Sequence, residues 1–146
     1  SPGTSQVYYG DESARSLVVE GTQGDATLRS FMNWEAIKSD PKTKAVLTHW
    51  QKLGQFRQRH PAVGAGLHQM ITEQPYYFYR SFQNEDFKDL VIVGLDVPKG
   101  KKVIDVSKIF EERTMLQDAY SGEKATVENG KITINSDFNI VLIEKQ

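Results

Sequence analysis

The chain has no cysteine, which removes disulfides, thiolate nucleophiles and thiolate metal sites together. That absence fits either redox compartment and locates nothing. Long apolar runs are missing as well: no stretch approaches the roughly 20 residues that a membrane span needs. The opening SPGTSQVYYGDE lacks the basic and apolar regions of a secretory leader. An excess of either charge is also absent. Eighteen Lys and Arg against nineteen Asp and Glu leave a formal −1, with the basic residues scattered, so there is no footprint for a polyanion. Neither nucleic acid nor a membrane is an expected partner. Histidine is sparse, with three in all. His49 and His60 lie eleven apart in one helical pattern, hence on different faces, and His68 brings no carboxylate cluster with it. No metal site is expected; His60 reads as a cation at a helix C-terminus and His49 as a flank of the buried stripe.

What is present suffices for a core. Of 146 residues, 38% are apolar and 25% charged, the balance of an ordinary globular chain and not of a disordered one. The two halves differ in texture, and the seam lies at Pro61. Before it, Gln6-Val7-Tyr8-Tyr9 has the β-branched and aromatic character of a brief buried strand running into the Gly10-Asp11-Glu12 loop. Asp25 is placed to cap a short helical turn. Asp40-Pro41 is a stronger start signal, because Asp accepts the free amides of a first turn and Pro gives up an amide that had no partner. The helix predicted from there to His60 buries a stripe of Val46, Leu47, Trp50, Leu53 and Phe56. Arg57, Arg59 and His60 suit its negative end, and Pro61 stops it.

After a small-residue connector, Ala62 to Gly66, strand-like segments follow one another: 76–82, 90–97, 103–106, 115–120, 124–127, 131–134 and 139–143. Glu128-Asn129-Gly130 separates two of them and predicts a tight hairpin. Short strands with turn signals between them argue for an antiparallel sandwich.

Few residues invite chemistry. Asp11 and Glu12 follow the first predicted strand, where carboxylates can act in catalysis, but adjacent residues point apart and cannot form an acid and base pair on one substrate. Gly64-Ala65-Gly66 follows a helix and precedes no Lys-Ser/Thr, so it is a connector and not a phosphate cradle. No serine has a G-x-S-x-G setting. The densest aromatic patch, Tyr76, Tyr77, Phe78, Tyr79 and Phe82, could stack on sugars, with Tyr77 and Tyr79 the candidate contacts. Alternation sends half of such a strand into the core, and packing or cover between domains is the weightier reading.

Together these segments resemble the C-terminal third of alpha-amylase-type glycoside hydrolases of family 13. Pro2 to Glu12 is similar to that family's eighth barrel strand with its YYGxE ending, and Arg29-Ser30-Phe31-Met32-Asn33-Trp34 to the R-x-P-M-x-W segment after it. Ser5 and Phe31 stand where the family usually has proline. Leu53 through Val63 with Gly66 resembles the last barrel helix and its exit. Phe78 to Arg80, Leu90 to Leu95, and Leu116 to Gly122 with Val127, Gly130 and Lys131 resemble the small C-terminal β domain.

The resemblance implies an α+β chain: the last β/α unit of a TIM barrel over 1–72, then an antiparallel, Greek-key-like β-sandwich over 73–146. It implies that the chain is the C-terminal, structural portion of a retaining alpha-amylase that hydrolyses alpha-1,4-glucosidic bonds in starch or maltooligosaccharides. That chemistry needs two carboxyls roughly 5 to 5.5 Å apart. The family's catalytic carboxylates belong to barrel strands upstream of Ser1, so the chain is expected to carry no catalytic, cofactor or metal residues and to be inactive alone. Calcium would belong to the parent enzyme. The alternative is a non-catalytic carbohydrate-binding module. Expected partners are the parent's alpha-glucan substrate and either the missing barrel or a second copy. A secreted or periplasmic setting follows from the resemblance only.

Overall fold

The computed structural model describes residues 5–146; Pro2-Gly3-Thr4, the start of the expected barrel-strand motif, lies outside them. It divides into two compact units, Ser1–Gly54 and Gln55–Gln146.

The first unit contains 3-10 turns at Asp11–Ser13 and Gly24–Arg29, helix α1 (Trp34–Ser39) and most of helix α2 (Pro41–Arg59). The strand expected at Gln6–Tyr9 does not form. A strand needs a neighbour for its amides and carbonyls, and this unit supplies no other strand among its described residues. The segment instead closes a turn, with Asp11 N donating to Tyr8 O at 3.1 Å and Arg15 N to Gly10 O at 2.9 Å. Asp25 sits inside the second 3-10 turn, which is entered from an extended Gln23, and so does not cap it.

Helix α2 starts where Asp40-Pro41 predicts. Asp40 is extended, and its Oδ2 accepts both Thr43 N and Thr43 Oγ1 at 2.8 Å. These bonds to the charged form, the backbone one foremost, hold the Asp40 carboxyl below its ordinary value. Val46, Leu47, Trp50 and Leu53 are half-buried and Phe56 is buried, as the stripe requires. The helix ends at Arg59. Residue 60 turns extended ahead of Pro61, which opens a further short helix, α3 (Pro61–Ala65), where a plain connector was expected.

The second unit holds eight strands: β1 (Leu67–Thr72), β2 (Tyr76–Gln83), β3 (Lys88–Leu95), β4 (Gly100–Asp105), β5 (Met115–Asp118), β6 (Lys124–Thr126), β7 (Lys131–Ser136) and β8 (Ile140–Lys145). Six form one antiparallel sheet in the order β1-β2-β3-β8-β5-β6, and β4 pairs with β7 in a second. Strand β1 was not foreseen, because His68 and Gln69 interrupt its apolar residues.

The Asn129-Gly130 turn is present, both residues taking positive φ (52° and 70°), with Glu128 and Lys131 bridged across it. Its flanks do not form the expected hairpin. Beyond that bridge β6 joins β5 and β7 joins β4, since Val127 bonds Thr114 while Ile132 and Ile134 face the core between the sheets.

Register decides what each face of the large sheet does. Tyr77, Ile92, Val141 and Ile143 turn toward Ile104, Ile132 and Ile134 and close the main core. On the opposite face, Phe78 pairs with Val93, Arg80 with Val91 and Phe82 with Asp89, and α3 packs over this side.

Candidate functional site

The carboxylates that looked most chemical, Asp11 and Glu12, serve the backbone. Asp11 Oδ2 accepts Tyr8 N at 3.0 Å and Glu12 Oε2 accepts Gly10 N at 2.9 Å, so each secures its own loop. The buried cation of this unit is Arg15. Its Nε donates to Tyr9 O at 3.0 Å, its guanidinium also donates to Ser30 O and Leu28 O, and it lies 4.0 Å from the Tyr9 ring centroid. Gly10 is required here: at φ 88° a Cβ would meet Arg15 Nε at 2.3 Å.

The most elaborate polar constellation is in the second unit, around His60. Its Nδ1 is 2.8 Å from Asp89 Oδ1 and its Nε2 is 2.6 Å from Glu144 Oε2. Asp89 Oδ2 accepts Ala62 N at 2.9 Å, capping α3 from the sheet, and Arg59 donates to both oxygens of Glu144. Arg80 spans α3, donating from Nε to Ala62 O at 2.8 Å and from Nη2 to Gly66 O, just past its C-terminus, at 2.7 Å. A short helix leaves its end groups unpaired, and here side chains of β2 and β3 pair them.

A cavity of about 310 Å³ adjoins this cluster, with Lys88, Phe110, Glu111 and Lys145 in its wall. The Asp89–His60 pair resembles the orienting half of a catalytic triad, yet it cannot act as one. Both ring nitrogens face carboxylates, so neither is offered to a substrate. The arrangement is a clasp that fastens the end of α2 and the start of α3 to the sheet.

Asp89, Glu144 and Arg80 escaped the sequence reading. A signal was available: Asp89 and Arg80 alternate with Val91, Val93 and Phe78 on a single apolar face, and a charge at such a position implies a buried partner.

Of the two candidate sugar contacts, Tyr77 is 4% exposed, sits in the core and has its phenol pushed above the ordinary value by burial. Its ring is not accessible for stacking. Tyr79 is half-buried at the edge of a second cavity, with its hydroxyl donating to Gln69 Oε1. His68 packs at a tilt against the Phe78 ring and contacts the Tyr76 hydroxyl at 2.9 Å. Among the described residues no group of three His, Asp or Glu side chains converges as a metal site would require. Among the described residues no helix is long and apolar enough to cross a membrane.

No protein-family model matches the chain. It is 42% identical over 93 residues to the periplasmic alpha-amylase of Escherichia coli (strain K12), a match covering 63% of this chain and only 13% of that relative. Its fold is similar to AmyP in complex with maltose (TM-score 0.60, 16% identity, 94% of this chain and 30% of that one). It is likewise similar to an AmyP variant in complex with maltotriose (0.60, 17% identity, 83% and 24%). An Anoxybacillus alpha-amylase matches as well (0.54, 16% identity, 73% and 26%). The structural likenesses speak to fold; the sequence match speaks to kinship. The chain is related in sequence to an alpha-amylase and spans only a small part of its relatives' length.

Proposed function

We propose that this chain is the C-terminal portion of an alpha-amylase acting on alpha-1,4-glucosidic bonds of starch or maltooligosaccharides, and that its role is structural. The first unit would complete the catalytic barrel of a longer polypeptide; the second would be its C-terminal β domain. The observation that carries this reading is the state of the first unit. No apolar side chain among its described residues is buried, while Phe31 is 97% exposed, Val18 80% and Trp34 62%. Unassisted, such a unit lacks the burial that offsets chain entropy, so its apolar surface was shaped for neighbouring polypeptide.

Retaining hydrolysis needs an acid and a nucleophile facing one bond. Asp11, Glu12, Asp89 and Glu144 are each committed to backbone amides, His60 or Arg59. Calcium, if the parent uses it, would be held largely by residues outside this chain, and a periplasmic or secreted setting follows from the named relative. The module alternative is the weaker one, because Tyr77 and Phe78 are buried and leave no row of exposed rings.

The test is starch hydrolysis by the purified chain. Reducing-sugar release should stay at the buffer level; release well above it would overturn the structural role. Hydrogen exchange on the same sample should show rapid exchange through 5–39 and strong protection in β3 and β8.

A further inference from the structure

The second cavity, of about 550 Å³, lies at the open end of the face that forms the main core. Its placement follows from strand register. Ser81 pairs with Leu90 and Gln83 with Lys88, so these four side chains share the face that Tyr79 and Ile92 occupy one pair earlier. The loop after β4 folds over this end. Amides of Ile109 and Phe110 both donate to Val106 O, at 2.8 and 2.9 Å, which sets Ile109 against the core and Lys108 at the rim.

The lining has three kinds of chemistry. Lys88 and Lys108 contribute two ammonium groups, and no Asp or Glu borders this cavity. No ion pair or hydrogen bond occupies either ammonium among the described residues, although Lys108 lies near enough to Asp105 to help hold that carboxyl down, behind the bonds from Ser107. Tyr79, Leu90 and Ile109 offer an apolar wall, Tyr79 with its ring half-buried and its hydroxyl tied back to Gln69. Ser81 and Gln83 add groups that can donate or accept. Asp89 and Glu111 border the neighbouring cavity, which Lys88 also lines, and Asp89 is occupied by His60 and Ala62 N.

We infer that this cavity binds a sugar phosphate. Two compact ammonium charges in a cavity whose lining holds no carboxylate match a phosphate monoester dianion, for which lysine acts as a point charge. A pyranose has one apolar face for Tyr79 and the aliphatic wall, and hydroxyls for Ser81 and Gln83. The volume admits a monosaccharide with its phosphate. This inference rests on the cavity alone and holds whether or not the glycosidase reading does.

The experiment titrates the full chain at low ionic strength with glucose 1-phosphate, glucose and inorganic phosphate, each read by amide NMR shifts. Glucose 1-phosphate should give saturable shifts at Tyr79, Ser81, Gln83, Lys88 and Lys108 with a Kd on the order of 1 mM. Glucose and inorganic phosphate should each bind more weakly. The K88Q/K108Q double variant should raise that Kd by about fivefold or more, as two solvated ion pairs would. Both lysines are exposed, so thermal unfolding of the variant should match the parent chain. Absence of saturable shifts, equal affinity for glucose or for phosphate alone, or an unchanged Kd in K88Q/K108Q would each overturn the assignment.

Discussion

His60 Nε2 stands 2.6 Å from Glu144 Oε2, across 84 residues of chain, while its Nδ1 holds Asp89 at 2.8 Å. One ring thus joins the start of α3 to β3 and β8. Replacing it with alanine leaves two largely buried carboxylates short of a donor. His60→Ala is expected to cost about 2–3 kcal/mol, because Asp89 then keeps only the Ala62 N–H and Glu144 only Arg59. Urea unfolding gives the loss directly. A double-mutant cycle with Glu144→Gln should show coupling, and additive effects would contradict the clasp.

Asp40 makes a different demand, because its work is local. Asp40→Ala removes the acceptor of Thr43 N and Thr43 Oγ1 and should fray the first turn of α2, lowering the far-ultraviolet helical signal. The carboxyl is held below the ordinary aspartate value of 3.8 by those bonds. Its contribution is therefore complete above that value and is lost as pH falls below it. In Asp40→Ala that acid-side loss of helix should be absent.

His68 runs in the same direction by the opposite logic. Burial, helped by the positive charge of Arg80, disfavours its imidazolium and sets the folded value below 6.5, and Nδ1 is buried with no partner. The unfolded chain then binds more protons, so the stability His68 permits is complete above pH 6.5 and declines as pH falls through the folded value. His68→Gln should flatten the dependence of the urea midpoint between pH 8 and pH 5, and an unchanged slope would rule His68 out as its source.

Two glycines should respond with opposite sign. At Gly66 a Cβ would lie 2.5 Å from Ala62 O and 2.7 Å from Ser81 O, both backbone atoms that cannot swing aside. Gly66→Ala is expected to cost about 2 kcal/mol or more. Gly54, within α2, meets nothing within 4 Å. Gly54→Ala should stabilise by roughly 0.5–1 kcal/mol through the lower entropy of the unfolded chain. Thermal melts of the two variants, run together, check both signs.

Much of the second unit was legible from pattern. Alternation located seven of its eight strands, because Ile132, Ile134, Val91 and Val93 must face a core whatever their partners are. The unread strand was β1, whose Leu67 and Met70 remain exposed at a sheet edge and so show no burial period. The strand expected at Gln6–Tyr9 failed for the complementary reason: among the described residues of its unit there is no second strand to pair with it. At the candidate site, His60 was read from its helix end alone and its two carboxylate partners were not.

What the sequence determined by itself lies within a few residues of its signal. The Asp40 cap, the stop before Pro61 and the Asn129-Gly130 turn all rest on short-range sterics and hydrogen bonds that no distant contact need supply. Only the tertiary structure decided that β8 enters between β3 and β5, that β6 and β7 part into different sheets, and that His60 meets Asp89 and Glu144. Those outcomes depend on which backbone edges find one another across the chain. Every strand carries the same donors and acceptors, so the choice falls to the packing of the whole core.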